Sequence, residues 1–163
     1  MSKQSLTPVQ RRTFFVALRP AAQEVGEDPE VYRKRILKEE LDVEHLADVK
    51  RTGDFDKLMS RIWADRGDYD QAAKYAISNL KRLRYRVVSA ARRIVAAKDD
   101  WTGTAYDYIA GVMIQCGMAQ GRPSVVASEL LSESGWLRFN ELQLKRLLMM
   151  LNTHLGRIRE GVK

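Results

Sequence analysis

From Tyr69 to Lys98 the chain runs 30 residues without a proline or a glycine. Along it Ala73, Ile77, Leu80, Val87, Ala91 and Ile94 advance by threes, fours and one seven. That spacing stacks side chains on one face of an α-helix and is foreign to a strand, whose faces alternate every second residue. The stretch is therefore predicted to be one helix, about 45 Å long at 1.5 Å per residue. With 10 Gly and 4 Pro in 163 residues, and no alternating run bounded by hairpin turn residues, the fold class is all-α. The expected architecture is an irregular multi-helix bundle with one long central basic helix.

Helix signals elsewhere divide the remainder. Thr7 before Pro8 is an N-cap followed by proline at the first helical position. It opens a helix carrying Phe14, Phe15, Leu18, Ala22 and Val25, with Pro20 marking a kink or split. Gly26 closes it, and Asp28 with Pro29 opens a second helix to about Leu41 through Val31, Tyr32, Arg35 and Ile36. After a polar connection, a third helix from Phe55 to about Arg66 presents Leu58, Met59, Ile62 and Trp63, and Gly67 stops it. Beyond Lys98 the segment Asp99, Asp100, Thr102 and Gly103 interrupts. A helix from Thr104 then carries Tyr108, Ile109, Val112, Met113 and Cys116. Ser124 is the expected cap of a short helix, Trp136 to Phe139 reads as extended, and Asn140 caps a last helix reaching Arg159. The organisation is an N-terminal helical lobe over 1–67, the basic helix over 68–99 and a C-terminal helical lobe over 100–163, unless all three form one domain.

Charge is the most informative quantity. The chain carries 28 Lys and Arg against 21 Asp and Glu, a net +7. Residues 69–98 hold eight cations and one anion, while the other segments hold 20 of each, so the whole excess falls on the expected long helix. At 3.6 residues per turn, Lys74, Lys81, Arg82, Arg86, Arg92 and Arg93 share an arc of roughly 140°, opposite Ile77, Leu80, Val87 and Ala91, and Tyr75 and Tyr85 point into the same arc. Guanidinium forks hold phosphate oxygens and tyrosine rings meet sugars or unstacked bases, so these eight residues are the candidate nucleic-acid-binding set. The expected partner is nucleic acid, DNA foremost, read with weak sequence preference. A face of one sign forgoes the i,i+4 pairs that usually stabilise a solvated helix. The same cations would also suit an acidic host protein, a nucleic-acid-processing enzyme's channel, or acidic residues of this chain such as Glu39, Glu40, Asp42, Glu44, Asp54 and Asp56. In a further alternative the long helix packs in an oligomer.

Catalytic machinery is not expected. His45 and His154 belong to no His-x-x-x-His or Glu-x-x-His pattern, so no metal site is expected. Asp99 and Asp100 lie between two helices and read as capping or loop residues. Glycine-rich phosphate loops and a Gly-x-Ser-x-Gly elbow are lacking, and no cofactor is expected. Cys116, the single cysteine, reads as a buried structural thiol and excludes an internal disulfide, which fits a reducing cytoplasm. The longest apolar runs, Phe14 to Leu18 and Leu147 to Leu151, are far too short for a membrane span. A helix-turn-helix over Gly117 to Leu131 is disfavoured by Arg122 and Pro123 in its turn.

The N-terminal hairpin resembles the GemA regulatory proteins of Mu-like phages. In that family a first helix ends in glycine, an acidic turn follows, and a second helix carries Tyr-Arg with an apolar residue three positions on. Here the pattern reads Ala21, Gly26, Asp28, Tyr32, Arg33 and Ile36. The stretch from Trp136 through Leu142, Leu144, Leu147 and Leu151 is similar to the family's closing helix. Where the family commonly has a Thr-Gly-Lys and Ser segment, this chain has Leu41-Asp42-Val43-Glu44-His45. The resemblance implies an early phage or prophage regulator that alters host gene expression or DNA topology in the bacterial cytoplasm, with no catalytic residues to carry over.

Overall fold

Side-chain caps fix where most of the helices begin. In the computed structural model, which describes residues 4–161, Thr7 accepts from the Gln10 amide at 3.1 Å while the Gln10 side chain accepts from the Thr7 amide at 3.0 Å. This reciprocal cap starts α1 (Pro8–Val25), and Thr104 with Asp107 and Asn140 with Gln143 do the same for α6 (Ala105–Gln115) and α8 (Glu141–Arg159). Asp28 caps α2 (Pro29–Leu41), and Asp68 caps α4 (Tyr69–Tyr75) after α3 (Asp54–Asp65). With α5 (Asn79–Ala97) and α7 (Pro123–Glu129) these make eight α-helices and no strand among the described residues. An isolated bridge joins Ser5 to Lys50. α1 continues through Pro20, because Pro20 and Val16, whose carbonyl loses its helical donor there, are both exposed to solvent.

Residues 69–98 do not form one helix. Ala76 is extended (φ −64°, ψ 127°), Ile77 and Ser78 bend, and α5 begins afresh at Asn79. Ser78 and Asn79 are residues whose side chains compete for backbone groups, so they end and restart helices without a proline or glycine. At 19 residues α5 equals α8, so no helix is set apart by length. The break also shifts the helical phase, which leaves Ile77 and Leu80 51% and 43% exposed instead of in the expected apolar stripe. The other departures are smaller. Arg122, not Ser124, stands at the N-cap of α7, and Trp136 to Phe139 forms turns after a short 3-10 segment, Glu133–Gly135.

The chain divides into two compact units, Met1–Ser78 and Asn79–Lys163. In the first, α1, α2 and α3 pack on one another and α4 packs on α3. Phe14, Leu18, Tyr32, Ile36, Leu58 and Met59 are among the buried centre, with Trp63 and Tyr75 against its edge. The Tyr32 ring is fully buried and its hydroxyl donates to Asp65 at 2.7 Å. Burial, then that bond, pushes the phenol well above its ordinary range. Arg61 donates to Asp65, Glu40 and Glu39 at 3.0, 2.8 and 2.8 Å. Burial disfavours its charge, but the three carboxylates outweigh this and bind its proton more tightly. For Glu39, burial likewise opposes ionisation, yet the hydrogen bonds from Arg61 and Arg35 win and hold it below the usual carboxylate range. The Ser60 hydroxyl, also buried, donates to the Ala72 carbonyl at 2.8 Å and ties α3 to α4.

In the second unit α5 packs on α8 and α6, and α7 packs on α6. Val87, Ile94, Ile109, Met113, Leu144 and Leu147 are among its fully buried side chains. Trp136 is 4% exposed and its indole donates to the Leu130 carbonyl at 2.7 Å. Gly135 permits this turn, because a Cβ there would lie 1.9 Å from the Glu129 carbonyl oxygen.

Two stability outcomes follow from these packings. Arg61→Met, which leaves three carboxylates without their common cation, is expected to cost about 2 kcal/mol at neutral pH in urea titrations, reduced from a fully buried pair by partial solvation. Because Glu39 has a lowered folded value, its stabilisation is present above the ordinary 4.5 and is lost as pH falls through the folded value. The deficit of the variant therefore narrows in acid. Gly135→Ala is expected to cost about 2–3 kcal/mol through the backbone collision, read as a lowered urea midpoint.

Candidate nucleic-acid interface

The boundary between Ser78 and Asn79 sorts the charge. Residues 1–78 hold 14 cations and 14 anions, whereas residues 79–163 hold 14 cations and 7 anions, so the entire +7 resides in the second unit. Some of its anions are engaged locally: Glu129 with Arg138 at 2.9 Å, Glu141 with Lys145 at 2.8 Å, and Asp107 in the cap of α6. Four of the six acidic residues named above as covers for the cations have partners within the first unit. Glu39 and Glu40 pair with Arg61, Asp42 with Lys38, and Asp54 accepts from the Lys50 amide.

The eight expected site residues do not lie on one helix. Lys74 and Tyr75 lie on α4, in the first unit. Lys74 is exposed, but Tyr75 packs edge-on against Phe55 with ring centroids 6.3 Å apart. The other six lie on α5, in the second unit. Arg86, Arg92 and Arg93 are exposed, and Lys81 and Arg82 are half-exposed. Tyr85 is only 4% exposed, beneath Lys81 and Arg84, whose cations lie 6.0 and 5.6 Å from its ring centroid. Its ring has no open face for a base. Ser89 is buried too, so the arc divides into two strips. Arg82, Arg86 and Arg93 form one, roughly 16 Å long, and Lys81 with Arg92 forms the other, roughly 100° away around the helix. The wheel assumed one uninterrupted helix, so it could register neither the break at Ala76 nor what packs between the cations of α5.

A second group of side chains gathers where α5 ends. Tyr108 on α6 hydrogen-bonds His154 Nδ1 on α8 at 2.7 Å, and their rings meet edge to face. Trp101 packs edge-on against Tyr108, centroids 5.2 Å apart, and its Nε1 donates to the Thr104 carbonyl at 3.3 Å. The Lys98 ammonium lies 5.7 Å from the centre of the Tyr108 ring. Burial raises the Tyr108 phenol. Burial, then Arg157 and Lys98, lowers His154 below the ordinary 6.5. Sequence spacing gives no hint of this cluster, since Tyr108 and His154 lie on different helices. The only local signal is a tryptophan just after Lys98-Asp99-Asp100, the segment that follows α5.

Elsewhere the chemistry is sparse. His45 is exposed beside the short 3-10 segment Leu46–Asp48, and Cys116 is exposed at the end of α6, not buried as expected, its thiol donating to the Met113 carbonyl. Among the described residues there is no group of three or more His, Cys, Asp or Glu able to hold a metal, and no helix long and apolar enough to cross a membrane. Comparisons with protein-family models, with curated proteins and with solved structures return no match to this chain.

His154 makes the cluster sensitive to acid. Its folded value is lowered while the unfolded chain takes up a proton at the ordinary 6.5, so stability is full above 6.5 and falls as pH drops through the folded value. Thermal melts are expected to show this loss between pH 7.5 and pH 5, and His154→Gln is expected to flatten that part of the profile.

Proposed function

We propose that this chain is a non-enzymatic regulatory protein that binds nucleic acid, DNA foremost and with weak sequence preference, through the cations of its second unit. The observation that carries the reading is the partition of charge: the whole +7 belongs to residues 79–163, with Arg86, Arg92 and Arg93 exposed on α5. A unit with twice as many cations as anions repels itself, and a polyanion relieves that repulsion while releasing counterions. Arginine suits the task because its fork engages two phosphate oxygens at once. No base-reading arrangement is part of the reading, so phosphate contacts would set position and affinity and leave sequence preference weak. Lys74, Tyr75 and Tyr85 are not needed for it. The resemblance of the hairpin and closing helix to GemA supports a phage or prophage setting in which such binding modulates host gene expression or DNA topology in the cytoplasm.

The test is a titration with a mixed-sequence duplex at several salt concentrations. Contacts from Lys81, Arg82, Arg86, Arg92 and Arg93 predict that log K falls with log salt at a slope of about −4 to −5. Replacing Arg86, Arg92 and Arg93 together by Ala is expected to reduce that slope by about 3 while circular dichroism stays unchanged. Absence of binding at low salt would reject the proposal. Equal affinity for polyglutamate would move the reading to an acidic protein partner.

A further inference from the structure

We infer that the end of the second unit formed by Lys98, Trp101 and Tyr108 is a seat for an unpaired nucleotide, with a base against the Trp101 indole and its phosphate held by Lys98. The inference rests on the reading above and deepens it, because it makes single-stranded nucleic acid the preferred ligand.

Three observations support it. The first is the state of the tryptophans. Trp136 is buried with its indole satisfied, and the Trp63 ring is half-buried with the Arg66 guanidinium 4.2 Å from its centroid. Trp101 instead sits in the connection after α5, half-buried, where an indole gains little as core. The second is its rigidity. Its Nε1 edge is held by the Thr104 carbonyl, Gly103 passes so close that a Cβ would lie 3.2 Å from Nε1, and Tyr108 supports the ring from the side. Tyr108 is itself held by His154. A ring fixed in this way loses little entropy when a base stacks on it, and every base offers a π face.

The third observation is electrostatic. Lys98 lies over Tyr108, and Lys98 and Arg157 both act on His154. Burial and then both cations disfavour a proton on His154, and the Lys98 ammonium over the Tyr108 ring is placed to meet a phosphate. Together the rings and the ammonium match the two parts of a nucleotide. Bases inside a duplex are paired and stacked on one another and cannot reach such a ledge, whereas single strands present unstacked bases.

Full-length protein is titrated with dT20 and with a mixed-sequence 20-base-pair duplex at matched salt, followed by tryptophan fluorescence and by anisotropy of labelled DNA. Expected are quenching by dT20 and an affinity for it about tenfold above the duplex, the scale of one stacked base. Trp101→Leu weakens dT20 about tenfold and leaves the duplex within about twofold, while Trp101→Phe keeps most of the single-strand affinity. Lys98→Gln reduces the salt slope for dT20 by about 0.7, the single-strand value for one phosphate. Equal affinities for the two ligands, or a Trp101→Leu protein that binds dT20 as the parent does, overturns the seat and leaves duplex binding standing. Failure of both ligands at low salt overturns the underlying reading as well. Melting curves of the Trp101→Phe and Lys98→Gln proteins at the parent's temperature show that these losses are local.

Discussion

The extended backbone at Ala76 is the constraint on which the organisation of this protein turns. A continuous helix over residues 69–98 would carry one phase from Lys74 to Lys98 and place eight cations on a single element. The break resets the phase, ends α4 against α3, and starts α5 as the first element of a separate unit. It also leaves Lys74 and Asp70 with the first unit, so residues 1–78 come out electrically balanced. The imbalance thus falls wholly in the second unit, where α5 carries six cations and no anion.

Both units place cations over rings, and the first also gathers charges into a network. In the first, charge is internal: Arg61 binds three carboxylates, Asp65 in turn accepts from the buried Tyr32, and Arg35 joins Glu27 to Glu39. Such a network stabilises little compared with well-packed apolar residues, but breaking it strands charge away from water, which makes it a determinant of how α2 meets α3. In the second unit several cations lie over rings. Arg84 spans Tyr85 and Trp136, and Lys98 lies over Tyr108. Cation–π contacts of this kind leave a cation's charge uncancelled, which an ion pair with a carboxylate does not.

What the sequence made legible is local. Thr7-Pro8, Asp28-Pro29, Thr104 and Asn140 mark helix starts because a cap is decided by residues within one turn of itself, and the structure places helix ends at each. The apolar spacing of α8 was legible for the same reason. What was not legible depends on neighbours distant in sequence. Tyr85 lies within the polar arc of α5 by angle yet is buried by side chains that no wheel includes, and Cys116 reads as core by spacing yet falls at the exposed end of α6. The break at residues 76–78 lies between these cases. Ser78 and Asn79 are visible as helix-start residues, but in a stretch free of proline and glycine their signal is outweighed by the apolar period on either side.

In the proposed reading, the cationic strips and the aromatic ledge contribute different kinds of free energy. Phosphate contacts draw on counterion release, so they weaken steeply with salt and ignore base identity. A base on an indole draws on dispersion and desolvation of apolar surface, which salt hardly touches. The protonation of His154 links the two. Burial, then Arg157 and Lys98, oppose a positive imidazole, and a phosphate held at Lys98 would weaken the part due to the cations, so anion binding and proton uptake at His154 would favour each other. The linkage is reciprocal by thermodynamic necessity. In that reading mild acid, which destabilises the empty cluster through His154, would strengthen the hold on a nucleotide.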